Sequence, residues 1–320
     1  MLLTALSIWA LAALYFDFPV ARFHGSVPTV YAAVVVALIS VSRRGKLAIW
    51  AAGVAAVLIW WFSLQPSNFR NWQPDVASMP SADINRNLET IHNIRNCDYV
   101  TETKFTCKWE TKTVDVSSIR GVDLFLTHWG SPYIAHAIVS YRFADGSYLA
   151  TSIEARKEVG ESYSAIRGFF RQYELIYLIA EERDVVRLRT NYRKDEMVSL
   201  YRTKTTPRDA QALFRQYLLW VNDVHDKPKW YNALTSNCTT GLTSYLSRTE
   251  VGGVSSWDWR TIFNGRGDEM LYQLGDLETD GLSFPDLQRR ALINPMAQQN
   301  DKAPDFSDRI RLGRPGFEQR

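Results

Sequence analysis

The sequence predicts an α+β protein in which N-terminal transmembrane helices precede a domain built from an antiparallel sheet packed on helices. Three observations carry this. Residues 1–64 are almost entirely apolar, whereas 65–320 have the composition of an ordinary soluble domain. Strand-like alternation over 122–129, 133–143 and 147–155 brackets an Ala144-Asp145-Gly146 turn. Residues 206–224 repeat their apolar side chains with the 3.6-residue period of an amphipathic helix.

The first segment holds three apolar runs, Leu2–Phe16, Thr29–Val41 and Leu47–Leu64. A straight bilayer span needs about 20 apolar residues. The third run meets that and ends in the aromatic belt Trp60, Trp61 and Phe62. The first two are short, and each reaches span length only with its flanks. Met1–Thr4 lacks a basic n-region and no small-x-small site follows Phe16, which argues against a signal peptide and for three spans. Arg43, Arg44 and Lys46 lie between runs two and three and place that turn in the cytoplasm; Arg22 votes weakly the other way. The expected topology is therefore multi-pass in a bacterial inner membrane, with the C-terminal domain in the periplasm.

Residues 65–84 read as a linker, with three prolines between 64 and 83. The stretch containing Cys97 and Cys107 reads as two strands that face each other across a hairpin. In an oxidising compartment such a pair forms a disulfide; two buried free thiols are the alternative. Farther on, 174–180 and 196–202 read as buried strands, and 164–173 and 183–192 as short helices. In the 206–224 helix Thr206 is the N-cap, Pro207 sits at N1, and Ala210, Leu213, Phe214, Tyr217, Leu218 and Val221 form the apolar stripe. A further helix is expected to begin at Cys238, and 295–320 reads as loop wrapping the surface. The 85–320 region is expected to be one domain.

Net charge is +3 and no Lys/Arg block points to nucleic acid. The chemistry-bearing residue is Cys238, one of three cysteines, in "TSNCTT". Small polar residues there suit a helix N-terminus, whose partial positive charge favours a thiolate. An inert cysteine beside a cap fits the same residues. A thiolate nucleophile needs a base, usually His, and often a group that orients it. Among five histidines, His136 lies in a strand between Ala135 and Ala137, small neighbours that leave room at a cleft. His225, among Asp223, Asp226 and Lys227, reads as a solvated helix end.

The hairpin register decides whether His136 has a carboxylate partner. A two-residue Asp-Gly turn puts Glu154 opposite Ala137, on the wrong face. A three-residue loop with Gly146 left-handed pairs Phe143 with Ser147 and sets His136 against Glu154. The second register is predicted; a surface pair of Glu154 with Arg156 is the bland alternative. Cys238, His136 and Glu154 also form a possible zinc set, but paired C-x-x-C or H-x-x-x-H spacings are missing. No metal or cofactor is expected.

The stretches "IAHAIVSYRFADG", "SIEARKEVGESYSAIRGFFRQYELIYLIAEERD", "WYNALTSNCTT" and "DFSDRIRLGRPGF" resemble the Lnb N-terminal periplasmic domain family of bacterial membrane proteins, over roughly 85–265. The resemblance implies a periplasmic thiol-dependent domain of permuted papain-like fold, related to NlpC-type enzymes. By position it makes Cys238 the nucleophile, His136 the base and Glu154 the orienter. The Asn237-Cys238 pair is also similar to that of lecithin:retinol acyltransferase, and Asn237 would support the oxyanion. The family's named member is a lipoprotein N-acyltransferase; here the membrane part precedes the domain instead of following it. Three functions stay open: an acyltransferase or hydrolase acting on a membrane lipid or lipoprotein, an NlpC-like amidase or peptidase on cell-wall peptides, and a non-catalytic scaffold.

Overall fold

A computed structural model describes residues 1–40, 45–85, 88–233 and 264–317. Asn237, Cys238 and the helix expected to begin there lie outside the described residues.

The apolar N-terminal runs form helices α1 (Leu2–Asp17), α2 (Ser26–Ser40) and α3 (Lys46–Ser63). Ala10, Leu14 and Val57 pack together with Trp9, Tyr31 and Trp60 against them. Among the described residues, only α3 is long and apolar enough to cross a membrane. Its 18 residues reach about 27 Å at 1.5 Å per residue. The expectation of three spans is therefore corrected to one span-length helix and two shorter apolar ones. Chemistry at the ends explains this. α1 stops at Asp17, because Phe18 precedes Pro19 and is held extended (φ −64°, ψ 128°).

Among the described residues, eight strands follow: β1 (Ser81–Asp83), β2 (Leu88–Tyr99), β3 (Phe105–Asp115), β4 (Ile119–Trp129), β5 (Ser131–Phe143), β6 (Tyr148–Arg156), β7 (Glu174–Ala180) and β8 (Met197–Arg202). They form one sheet in the order β1-β2-β7-β6-β5-β4-β8, with β3 on β2. The sheet is mixed where a purely antiparallel one was expected: β2 runs parallel to β7, with Arg95 opposite Ala180. Because β2 and β7 are far apart in sequence, no hairpin constrained their direction.

The β5–β6 connection has three residues. Phe143 N–H donates to Ser147 O at 2.9 Å and Gly146 N–H to Phe143 O at 3.1 Å. Gly146 has φ +84°, which a side chain would strain. The Asp145 carboxylate accepts from Ser147 N–H (2.9 Å) and Oγ–H (2.7 Å), closing the turn. The register follows as predicted, with Ile138 opposite Ser152 and Arg142 opposite Tyr148. Cys97 and Cys107 are directly opposed on β2 and β3 and are joined as a disulfide.

Strand alternation gives the sheet two faces. On one, Leu124, Leu126, Tyr141, Leu149 and Ile153 pack against α5 (Pro207–Asp226), whose Thr206 cap accepts from Asp209 N–H at 3.2 Å. On the other, Phe125, Ile138, Leu178 and Val198 meet α4 (Glu182–Arg187) and the C-terminal tail. α4 continues into a π-helical turn, Leu188–Tyr192. The C-terminal part contains α6 (Gly267–Leu274), α7 (Phe284–Ala291), α8 (Asn294–Gln299) and α9 (Phe306–Arg309), held by buried Leu287, Ala291, Ala297, Phe306 and Ile310. Within 295–320, read from the sequence as loop, the described residues are mostly turns, interrupted by the end of α8 and by the short α9. Conversely, 164–173 holds only a single 3-10 turn, Arg167–Phe169. At its centre Gly168 lies so close to Ala233 that a Cβ would meet the alanine's at 3.2 Å.

Candidate active site

His136 sits near the start of β5 and Glu154 near the end of β6, and the hairpin register brings them together. His136 Nε2 lies 2.7 Å from Ser152 Oγ and 3.5 Å from Glu154 Oε1. Ser152 Oγ–H donates to Glu154 Oε1 at 2.9 Å. Both residues occupy one face of β6 because they are two apart. An ionised carboxylate only accepts, so the Ser152 hydroxyl spends its proton on Glu154 and accepts from His136 Nε2–H. That fixes the tautomer of the neutral imidazole: Nε2 carries the hydrogen, and Nδ1 carries the basic lone pair.

The same carboxylate oxygen is also approached from the π-helical turn. Arg189 lies 3.5 Å from Glu154 Oε1 and 3.2 Å from Glu196 Oε2. Arg193 continues the chain to Glu196 (3.5 Å) and Glu102 (3.3 Å). Burial by itself raises the Glu154 pKa, but contact with His136 and the charge of Arg189 outweigh it, and the carboxyl is held well below its ordinary range. Glu154 is thus an anion at neutral pH although its side chain is only 17 % exposed. The alternative pairing with Arg156 does not form. Arg156 is buried on Val76 O and Ala77 O and stacks over Trp72.

These groups line a cleft of about 810 Å³. Its walls mix aromatic rings, among them Tyr99, Phe105, Trp129, Tyr133, Tyr163 and Tyr231, with charged side chains, among them Asp75, Glu102, Lys157, Glu161, Arg193 and Glu196. The disulfide packs into the same wall, in a cluster with Tyr99, Phe105 and Leu188.

Of the site residues expected from sequence, the structure joins His136 to Glu154; Cys238 and Asn237 lie outside the described residues. His128, on β4, is committed elsewhere, its Nε2 2.8 Å from Gly265 O. His225 is half-exposed beside Asp226 at the end of α5, as expected. Sequence reasoning missed Ser152, Arg189, Arg193 and Glu196. Ser152 was findable, since period two places it on the face of Glu154. The others come from elements whose docking no local pattern specifies.

The model of one protein family, the Lnb N-terminal periplasmic domain, matches residues 105–265, half of the 320-residue chain, and the chain belongs to that family. The matched residues run from β3 through β8 and α5, so they include His136, Ser152 and Glu154. Membership implies a periplasmic location for this part of the protein. No curated protein and no solved structure matches the chain.

Proposed function

We propose that this member of the Lnb N-terminal periplasmic domain family is a membrane-anchored thiol enzyme of permuted papain-like type, and that it transfers or hydrolyses an acyl group of a lipid or lipoprotein in the periplasm. The observation that carries the reading is the His136–Ser152–Glu154 chain in a cleft with aromatic and charged walls: a base whose tautomer is fixed and whose cationic form has a buried carboxylate behind it.

In this reading His136 Nδ1 takes the Cys238 thiol proton as sulfur attacks the acyl carbonyl. The carbonyl π electrons move to oxygen, and the resulting oxyanion is met by backbone N–H groups and Asn237. The intermediate collapses to a thioester, and the leaving alkoxide takes its proton from the imidazolium. An incoming amine or water then gives a proton to Nδ1 and attacks the thioester, and the imidazolium returns that proton to the departing thiolate. Glu154 stabilises the imidazolium through Ser152, and Arg189 keeps Glu154 ionised. Ser152 and Glu154 are positioning residues.

The charged side chains of the cleft favour a second reading, an amidase or peptidase on cell-wall peptides using the same pair. A lipid-ester assay and a cell-wall-fragment assay on the full chain separate the two. Under the first reading Cys238→Ala abolishes lipid-ester turnover, and Glu154→Gln lowers kcat by about 10- to 100-fold, one to two powers of ten at ~1.4 kcal/mol each, with the fold intact. Ser152→Ala moves the acid limb of the pH profile, and Ser152→Thr restores it. Unchanged turnover in Cys238→Ala sinks both thiol readings, and wild-type protein inert in both assays leaves the scaffold.

A further inference from the structure

The exit of α3 and one end of the sheet are bound tightly to each other. Arg171 Nη1–H donates to Leu64 O at 2.5 Å, and its guanidinium lies 4.2 Å over the Trp61 ring. Gln172 donates to Phe16 O (2.7 Å) and Asp17 Oδ1 (2.9 Å), and Phe170 stacks on Phe16 at 4.9 Å. Ser67 and Arg70, just past α3, hold Glu174 at the start of β7. The segment between β6 and β7 therefore rests on the outer ends of α1 and α3, at the level of the aromatic belt.

That end of the molecule is more apolar than a water-facing surface should be. Phe69 is 95 % exposed, Ile166 61 % and Val159 57 %, with Tyr163 and Phe169 also exposed. Two of these, Tyr163 and Phe169, also line the cleft. Exposed Arg167 sits beside Ile166, the arrangement that lets an apolar tip enter the acyl boundary while a cation stays with the headgroups. Glu154 is two residues from the end of β6, where Arg156 pairs with Glu174, so the candidate site is about 7 Å along the strand from this end.

We infer that Phe69, Val159, Tyr163, Ile166 and Phe169 form an interfacial lip that seats in the headgroup–acyl boundary of the bilayer, so that the cleft opens onto lipid rather than onto the periplasmic solution. The occupant is the lipid surface because the lip continues the belt of Trp61 and Phe62 and is bolted to the helix ends beside it. This rests on the membrane-anchored reading above and not on the thiol chemistry.

The test places p-benzoylphenylalanine singly at positions 166, 69, 59 and 312 of the full chain in phosphatidylethanolamine–phosphatidylglycerol vesicles. Each variant is first checked for an unchanged thermal transition. Ile59 is an exposed residue of α3 and Leu312 an exposed residue beside Arg311, which binds Glu182 beyond the opposite end of β7. Lipid adducts at 166 and 69 with yields comparable to 59, and none at 312, support the lip. Lipid adducts at 59 alone overturn it, as do protein–protein adducts at 166 and 69, which would assign the patch to a second copy. Equal yields at 166 and 312 overturn it too, and no adduct at any position removes both the lip and the anchor. Because Cys238 takes no part in the readout, failure here leaves the catalytic reading standing, and loss of turnover in Cys238→Ala leaves the lip standing.

Discussion

Alternate residues of the same strands build two unlike interiors. Toward α5 the sheet presents Leu124, Leu126, Tyr141, Phe143 and Ile153, and the helix answers with Phe214, Leu218 and Val221. Toward α4 and the tail it presents Asp123, Ser140, Ser152 and Glu154 among apolar neighbours. These polar groups do not face water. Arg311 from the tail bonds Asp123 (2.9 Å) and Glu182 (2.7 Å) and stacks 3.6 Å over Tyr148, while Ser140 donates to Glu182. Arg95 likewise pairs with Asp184 at 2.8 Å, with both side chains buried. One face gains its stability from area removed from water, which is non-directional and tolerant. The other sets buried ion pairs into its own apolar cluster, and these are costly to desolvate and intolerant of losing one member. A site that must hold an imidazole in one tautomer belongs on the second kind of face, because directional bonds fix orientation where apolar packing does not.

The largest effects should test that contrast directly. Phe214→Ala removes a fully buried ring that packs edge-on against Tyr141 and Phe143 and should cost about 3–5 kcal/mol as lost burial plus cavity. Arg311→Met should cost a similar ~3–5 kcal/mol, for the different reason that it leaves buried Glu182 without its cation, while Asp123 keeps Arg202. A double-mutant cycle in denaturant separates the causes. Arg311→Met and Glu182→Gln should couple by ~1–3 kcal/mol, whereas Phe214→Ala should add to either. Additivity of the charged pair would erase the distinction between the faces.

A smaller effect lies in the pH dependence, where two carboxylates of the polar face behave oppositely. Glu154, its folded pKa depressed, contributes stability that is present above the ordinary carboxylate range and is lost as pH falls through the folded value. Glu174 is pushed up to about 7 by burial, against the charge of Arg70. The folded state therefore holds a proton there that the unfolded chain has released. Its contribution is full below pH 4.5 and disappears as pH rises toward about 7. At ~1.4 kcal/mol per unit, that window is worth up to about 3 kcal/mol. Glu174→Gln should flatten the fall in melting temperature between pH 5 and 8; an undiminished slope would show that Glu174 does not cause it.

The smallest effect is a gain. Thr127 is fully buried opposite His136, and its Oγ1 finds no hydrogen-bond partner among the described residues. Thr127→Val should stabilise by about 1 kcal/mol, since the hydroxyl is dehydrated without return. A loss of that size, read from the same denaturant midpoints, would mean the hydroxyl is paired in solution.

Sequence by itself determined what depends on neighbours along the chain. The 3.6-residue stripe and Thr206-Pro207 cap of α5 were legible because helix contacts and caps are local. The Ala144-Asp145-Gly146 loop was legible because its glycine suits a left-handed position, and the three-residue register, one of two that fit the turn, carried His136 to Glu154 by counting. Cys97 and Cys107 were legible as a pair because strand alternation faces them across one hairpin. What tertiary structure alone decided is everything joined over long separations: the parallel β2–β7 contact, the tail helices that bury Arg311 against Asp123, and the placement of Arg189 behind Glu154. It also decided that the β6–β7 segment sits on the ends of α1 and α3. Those pairings follow from how whole elements dock, which is set by the summed burial and charge balance of many residues, and no window of sequence contains that sum.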